Sequence, residues 1–303
     1  MPENPASTPF EVDEPILNSP YELPGHHWYL RQGEAPVKRE GRRPSIVFRP
    51  ADQSEPWDTS DGILVPARDY TNAYELALVN RVRERVQAWR DAGWPGATRT
   101  TLELLEHWSR PDRDLKHRLF FAQREAVEAV IFLIEAREDF RQGIAVPLDE
   151  PGPEKLAQGC RAFLRYACKM ATGSGKTTVM GMLAAWSILN KVNDRSDGRF
   201  SDVALIVCPN VTIRDRLQEL DPRGGDASLY RTRDLVPKHL MPFLAQGRVR
   251  VMNWHVFERQ TLQTGGVPAR VSKRGKAEQV EEWVILGDKT TTAREALPDA
   301  GRF

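Results

Sequence analysis

The stretch Met170-Ala-Thr-Gly-Ser-Gly-Lys-Thr177 constrains the fold more than any other feature of the chain. Two glycines around a serine let the backbone curl so that several N–H groups point at one centre, a geometry that a Cβ resists. Such a turn binds phosphate when it joins a strand to a helix N-terminus, where unsatisfied N–H groups and the helix dipole favour an anion. The flanks predict that context. Arg161–Met170 reads as a strand, and Val179, Met182, Leu183 and Trp186 share one face of a following helix. Lys176 then offers a point charge to the β and γ phosphates and Thr177 a hydroxyl to Mg2+. The bland alternative is an accidental Gly-Ser-Gly turn at a helix start. The general GxxxxGK[ST] pattern asks for glycine at position 170, where this chain has Met, and that departure narrows the choice of family.

Around this loop the chain alternates strand and helix. Val203–Cys208 is a short apolar run ending at Pro209 and reads as a fully buried strand, with a helix expected over 211–220 and a third strand over 249–254. That order predicts crossovers and a parallel sheet, hence an α/β fold. Upstream, residues 1–70 are punctuated by nine prolines up to Pro50 and read as an extended Pro-rich arm, although Tyr21, Trp28, Tyr29 and Phe48 predict that parts of it pack. Residues 71–118 read as a helical region. Val79, Val82, Val86 and Trp89 line one face of a helix over 71–92, and Thr100–Glu103 has capping-box spacing for a second. A third helix, 121–136, places Val127, Val130, Ile131 and Ile134 on its apolar side, with Arg124, Glu125, Glu128 and Glu135 on the rest.

Composition excludes several classes. Of the 303 residues, 40% are hydrophobic and 28% charged, which suits a packed core rather than a disordered chain. Lys plus Arg is 43 against 42 for Asp plus Glu, so any nucleic-acid surface must be local. The gradient is gentle: residues 1–60 hold 6 basic and 10 acidic side chains, residues 193–303 hold 18 and 15. Three cysteines without a CxxC pair argue against a disulfide framework or zinc cluster. The N-terminus lacks a basic start and an apolar run, and the longest uncharged helical stretch, 177–190, is shorter than the roughly 20 residues a membrane span needs. A cytoplasmic protein without membrane attachment is expected.

Several strings resemble one family. Ala171–Thr177 is similar to motif I of superfamily 2 (DEAD/DEAH-like) helicases and translocases. Phe120-Phe-Ala-Gln-Arg-Glu-Ala-Val127 resembles their upstream glutamine element, Leu205-Ile-Val-Cys-Pro-Asn210 their motif Ia, and Val251-Met-Asn-Trp-His-Val-Phe257 the next DNA-contacting element. Ile16-Leu-Asn-Ser-Pro-Tyr-Glu-Leu-Pro24 and Glu40-Gly-Arg-Arg-Pro44 point more narrowly to the Res subunit of type III or type III-like restriction endonucleases. The resemblance implies that 119–303 is the N-terminal part of a P-loop RecA-like ATP-binding motor domain, an incomplete first lobe. It implies ATP and Mg2+ as cofactors, with Lys176 and Thr177 catalytic and Thr177 on the metal. Gln123 would read adenine, and Ala171, Thr172, Gly173, Ser174, Gly175 and Thr178 would complete the cradle. Pro209, Asn210, Asn253, Trp254 and His255 would touch double-stranded DNA, and a methyltransferase/specificity (Mod) subunit is the implied partner. The activity implied is ATP hydrolysis driving movement on DNA for endonucleolytic cleavage.

Each carry-over has a plainer alternative. Gln123 would occupy a solvated helix face, Asn210 would cap the next helix, and Trp254 would be core. Arg81 and Arg85 share a face that either meets phosphates or is simply solvated, and His26 and His27 have no neighbours at metal-ligand spacing. A motor also needs an apolar strand ending in Asp-Glu. Trp283–Asp288 comes nearest, but Lys289 follows where Glu is required, and we read it as an edge strand and turn. With two motor lobes and a nuclease to accommodate, the chain is expected to be a fragment with ATPase activity near zero by itself. Two rivals stand beside this reading: another P-loop NTPase such as a kinase, and a non-catalytic module binding nucleotide or a partner.

Overall fold

A computed structural model describes residues 12, 14–30, 34–50, 53, 57–60, 62–68 and 72–257. In chain order the elements are β1 (His26–Tyr29), β2 (Val37–Glu40), β3 (Ile46–Phe48), β4 (Leu64–Pro66), β5 (Ala73–Leu76), α1 (Ala77–Asp91), α2 (Arg99–Ser109) and α3 (Phe121–Glu135). Short helices α4 (Glu138–Arg141) and α5 (Pro153–Ala157) follow, then α6 (Lys176–Asn193), β6 (Val203–Cys208), α7 (Val211–Leu217), α8 (Leu229–Thr232), α9 (Met241–Leu244) and β7 (Arg248–Asn253). The result is a mixed α/β architecture of small sheets, in two units.

The first unit comprises Met1–Ala97 and Arg118–Ser174. Its proline-punctuated front, expected to be extended, instead builds two small antiparallel sheets: β1–β2, and β3–β5–β4 with β5 central. The short apolar triplets Ile46-Val-Phe48 and Leu64-Val-Pro66 supply extended segments, while among the described residues the prolines of this front fall mostly outside ladder positions, where their missing N–H does no harm. The expected helix over 71–92 begins only at Ala77, because Ala73–Leu76 is consumed as the strand that joins β3 and β4. Val86 and Trp89 of α1 are fully buried, but Val79 of the same predicted stripe is 39% exposed.

Helix α3 meets α1 through Phe132, whose ring stands edge-on to Trp89 at 5.7 Å, with Val127 and Ile131 also fully buried. Each such side chain contributes about 1.5–3 kcal/mol by leaving water. The carboxylates of Glu128 and Glu135, expected on the outer face, are buried too. Glu128 is buried because Arg90 of α1 reaches across and donates to both its oxygens. A buried carboxylate is tolerated only with such a partner.

The second unit comprises Thr98–His117 and the chain from Gly175 onward. Its axis is α6, apolar on nearly every side: Val179, Met182, Ala185, Trp186, Ile188 and Leu189 are buried. Gly181 lies where any Cβ would press on Leu220, Leu229 and Leu235 at 3.2–3.3 Å. Helix α2 covers another side with Leu104, Leu105 and Trp108. Its cap is Thr98, whose hydroxyl accepts from the Thr101 N–H at 3.1 Å, two residues before the capping box expected at Thr100. Thr101 is itself buried, and its hydroxyl accepts from Trp186 Nε1 and Asn190 Nδ2, so a short polar network joins α2 to α6.

The parallel sheet anticipated from the strand–helix alternation is present as two strands, β6 and β7, in register from Val203↔Arg248 to Cys208↔Asn253. Two expectations fail. Arg161–Met170 forms no strand; Phe163 makes one isolated bridge to Asp149, and Phe163 and Leu164 stay more than half exposed. Arg161, Arg165 and Lys169 interrupt its apolar run at every fourth residue, and without a continuous ladder its backbone polar groups gain more from water. Strand β6 is half-buried rather than fully buried, with Val207 50% exposed, because among the described residues it pairs on one side alone. Trp283–Asp288 lies outside the described residues. Among those described, no helix is long and apolar enough to cross a membrane.

Candidate functional site

The glycine loop lacks the preceding strand expected of it but keeps, at a helix N-terminus, the backbone geometry its composition demands. Gly173 sits at φ +80° and Gly175 at φ +84°, the left-handed region where a side chain is strained, although a Cβ at Gly173 would meet no other atom within 4 Å. Backbone conformation favours glycine at both positions, and at Gly173 space plays no part. Between them the Ser174 N–H and hydroxyl both donate to the Ala171 carbonyl, at 3.3 and 2.7 Å, closing a tight turn. Gly175 is the N-cap of α6, and the helical ladder opens with Val179 N–H to Gly175 C=O. The N–H groups of 176–178 precede that ladder, at the positive end of an 18-residue helix. Ala171, Thr172, Gly173 and Lys176 are exposed, Ser174, Gly175 and Thr177 half-buried, and Thr178 buried.

Gln123 is brought to this loop from 51 residues upstream. Its Nε2 donates to the Ser174 carbonyl at 3.0 Å, and its Oε1 accepts from the Phe120 N–H at 3.0 Å, so one amide caps α3 and anchors the turn. The side chain is only 6% exposed, which rules out the solvated-face alternative. An adenine-reading role would have the second Nε2 hydrogen and the second Oε1 lone pair to work with. The spacing of the motif signalled the pairing of glutamine and glycine loop; it carried no sign that the contact runs through the backbone of Ser174.

At the C-terminal ends of the parallel pair, the remaining candidates converge. Asn210 caps α7, its Oδ1 accepting from the Ile213 N–H at 2.9 Å, and Pro209 beside it is exposed. Asn253 ends β7 directly opposite Cys208, whose thiol approaches Asn253 Oδ1 at 3.3 Å. Trp254, for which a core position was the plainer expectation, is 43% exposed, its ring 4.1 Å from that of His255 between centroids. Proline, asparagine, indole and imidazole thus share one strand end, accessible to solvent. Arg81 and Arg85 are exposed, and Arg81 donates to the Gly143 carbonyl.

Sequence reasoning missed a third cluster, in the first unit. His26, His27, Arg42, Arg43 and Arg83 line an open cleft of about 270 Å³. The Arg42-Arg43 doublet was visible in the sequence, but Arg83 lies forty positions further on and joins it only through the fold. Among the described residues, no group of three or more His, Cys, Asp or Glu could hold a metal ion. No family model, curated protein or solved structure matches this chain.

Proposed function

We propose that this chain carries the ATP-binding and DNA-contacting front part of a superfamily 2 translocase, of the kind that serves as the Res subunit of type III-like restriction endonucleases. In that reading the whole enzyme is a hydrolase that uses ATP to move on double-stranded DNA for cleavage, working with a Mod subunit. One observation carries it: a Gly-Ser-Gly-Lys-Thr turn with both glycines in the left-handed region, held by Gln123, at the N-terminus of a long helix. A small turn of this shape presents N–H donors to an anion and has an exposed lysine beside it.

The residues present fit a bound nucleotide. A Cβ at Gly173 would meet nothing within 4 Å, so no other part of the chain crowds the loop at that point. Lys176 would set its ammonium against the β and γ phosphates, Thr177 would offer its hydroxyl as a metal ligand, and Gln123 would keep the turn in shape. Bound Mg2+ supplies neutralisation of the phosphate charge. Pro209, Asn210, Asn253, Trp254 and His255 form the surface assigned to DNA, with the Trp254 ring as a stacking platform.

The test is ligand-induced stabilisation. ATP with Mg2+ at about 100 times its dissociation constant should stabilise the folded chain by about 2.7 kcal/mol. Lys176→Ala, an exposed substitution, should remove that gain while leaving the melting temperature without nucleotide unchanged. An equal ATP-dependent shift in the variant would overturn the reading.

A further inference from the structure

The cleft in the first unit shares no residue with the glycine loop, and its charge pattern is its own. The β1–β2 hairpin closes with the Gly41 N–H donating to the Gly25 carbonyl at 2.7 Å, which sets His26 and His27 beside Arg42 and Arg43. His27 is fixed by a 2.8 Å bond from Nδ1 to the Gly41 carbonyl; a carbonyl only accepts, so Nδ1 carries the hydrogen. Arg83 enters from α1.

The three guanidinium groups are not equivalent. Arg42 makes a two-pronged pair with Glu125 of α3 and lies 5.7 Å from the Phe121 ring centre, so its charge is matched and its position held. Arg43 and Arg83 have no hydrogen-bond acceptor among the described residues. Arg43 is exposed, but Arg83 is half-buried. Burial, and then repulsion from Arg42 and Arg43, holds the Arg83 guanidinium below its ordinary range, with Glu125 opposing. A half-buried cation beside two like charges is costly unless an anion joins them.

We propose that this cleft binds a phosphate monoester. With Arg42 cancelled by Glu125, Arg43 and Arg83 leave two positive charges, which matches the charge of about −1.5 to −2 on a monoester at neutral pH. A carboxylate or phosphodiester carries only one. Paired planar guanidinium forks suit tetrahedral phosphate oxygens, which lysines would engage only as point charges. The monoester belongs to a small metabolite or to the 5′ end of a nucleic-acid strand.

Calorimetric titration of the full chain with phenyl phosphate tests this, with dimethyl phosphate as the singly charged control. Phenyl phosphate should bind and dimethyl phosphate should bind at least about tenfold more weakly. Arg43→Gln and Arg83→Gln should each weaken phenyl phosphate binding about tenfold. Arg43 is exposed, so Arg43→Gln keeps the test valid if Arg83→Gln loses its circular-dichroism signature of folding. Absence of phenyl phosphate binding, equal binding of the diester, or unchanged binding in Arg43→Gln would each overturn the proposal. A 5′-phosphorylated oligonucleotide that binds more tightly than its 5′-hydroxyl twin, by a margin that Arg43→Gln abolishes, assigns the site to strand ends. Equal binding of the two oligonucleotides, with phenyl phosphate bound, assigns it to a small molecule.

Discussion

Replacing Gln123 with alanine separates two ways in which that residue can serve a nucleotide. The side chain accepts from the Phe120 N–H and donates to the Ser174 carbonyl, both at 3.0 Å, and is 6% exposed. Each bond is worth about 1 kcal/mol net, and the truncation leaves two backbone groups seeking new partners, so the loss should be about 2–3 kcal/mol. For a unit of this size that lowers the melting temperature by roughly 4–10 °C. Because the lost contact holds the turn rather than a base, affinity for ATP and GTP should fall together, by about tenfold. Gln123→Glu keeps the acceptor for Phe120 but faces the Ser174 carbonyl with a lone pair, and should fall in between. Differential scanning fluorimetry with and without each magnesium nucleotide reads both effects. A variant with wild-type melting temperature and a loss confined to ATP would refute the positioning role and favour adenine reading.

Removing Glu128 strands the Arg90 guanidinium, which is only 18% exposed, so Glu128→Ala should cost about 3–5 kcal/mol by urea unfolding, whereas Glu128→Leu combined with Arg90→Met should recover most of it. His107 is buried and held below its ordinary value of 6.5, first by desolvation and then by Arg113 and Arg110, against the opposing pull of Asp234. Both states are neutral well above 6.5. As pH falls through 6.5 the unfolded imidazole takes a proton that the folded one resists, so stability declines with acid. His107→Gln should therefore show a smaller stability loss between about pH 7.5 and 5.5 than the wild type, by up to about 1.4 kcal/mol per pH unit; identical slopes would refute it.

Strong local signals were legible. A short apolar run ended by Pro209 marks β6, and Asn210, which the sequence leaves open between helix cap and DNA contact, does cap α7. The third helix was placed within a residue of α3 because no glycine or proline interrupts its apolar stripe. Signals that depend on a neighbour were not. Arg161–Met170 has strand-like apolar content, yet a strand exists only where a second backbone completes its ladder, and one bridge to Asp149 does not. The arm reads as featureless because three- and four-residue strands are too short to show periodicity.

The sequence alone determined the turn: Gly173, Gly175 and the following Lys-Thr dictate a left-handed backbone at a helix start, since glycine's freedom at positive φ is a local property. It also determined which helix faces are apolar. Only the tertiary structure decided what the charged residues do. Glu128 looked like a solvent-facing acid until Arg90, thirty-eight positions away, made it a buried ion pair. Gln123 could not be told from a surface amide until Ser174 came within 3.0 Å. Arg83 gains its meaning from Arg42, Arg43 and Glu125 together. Burial and charge pairing are sums over neighbours in space, and a chain read in order does not contain them.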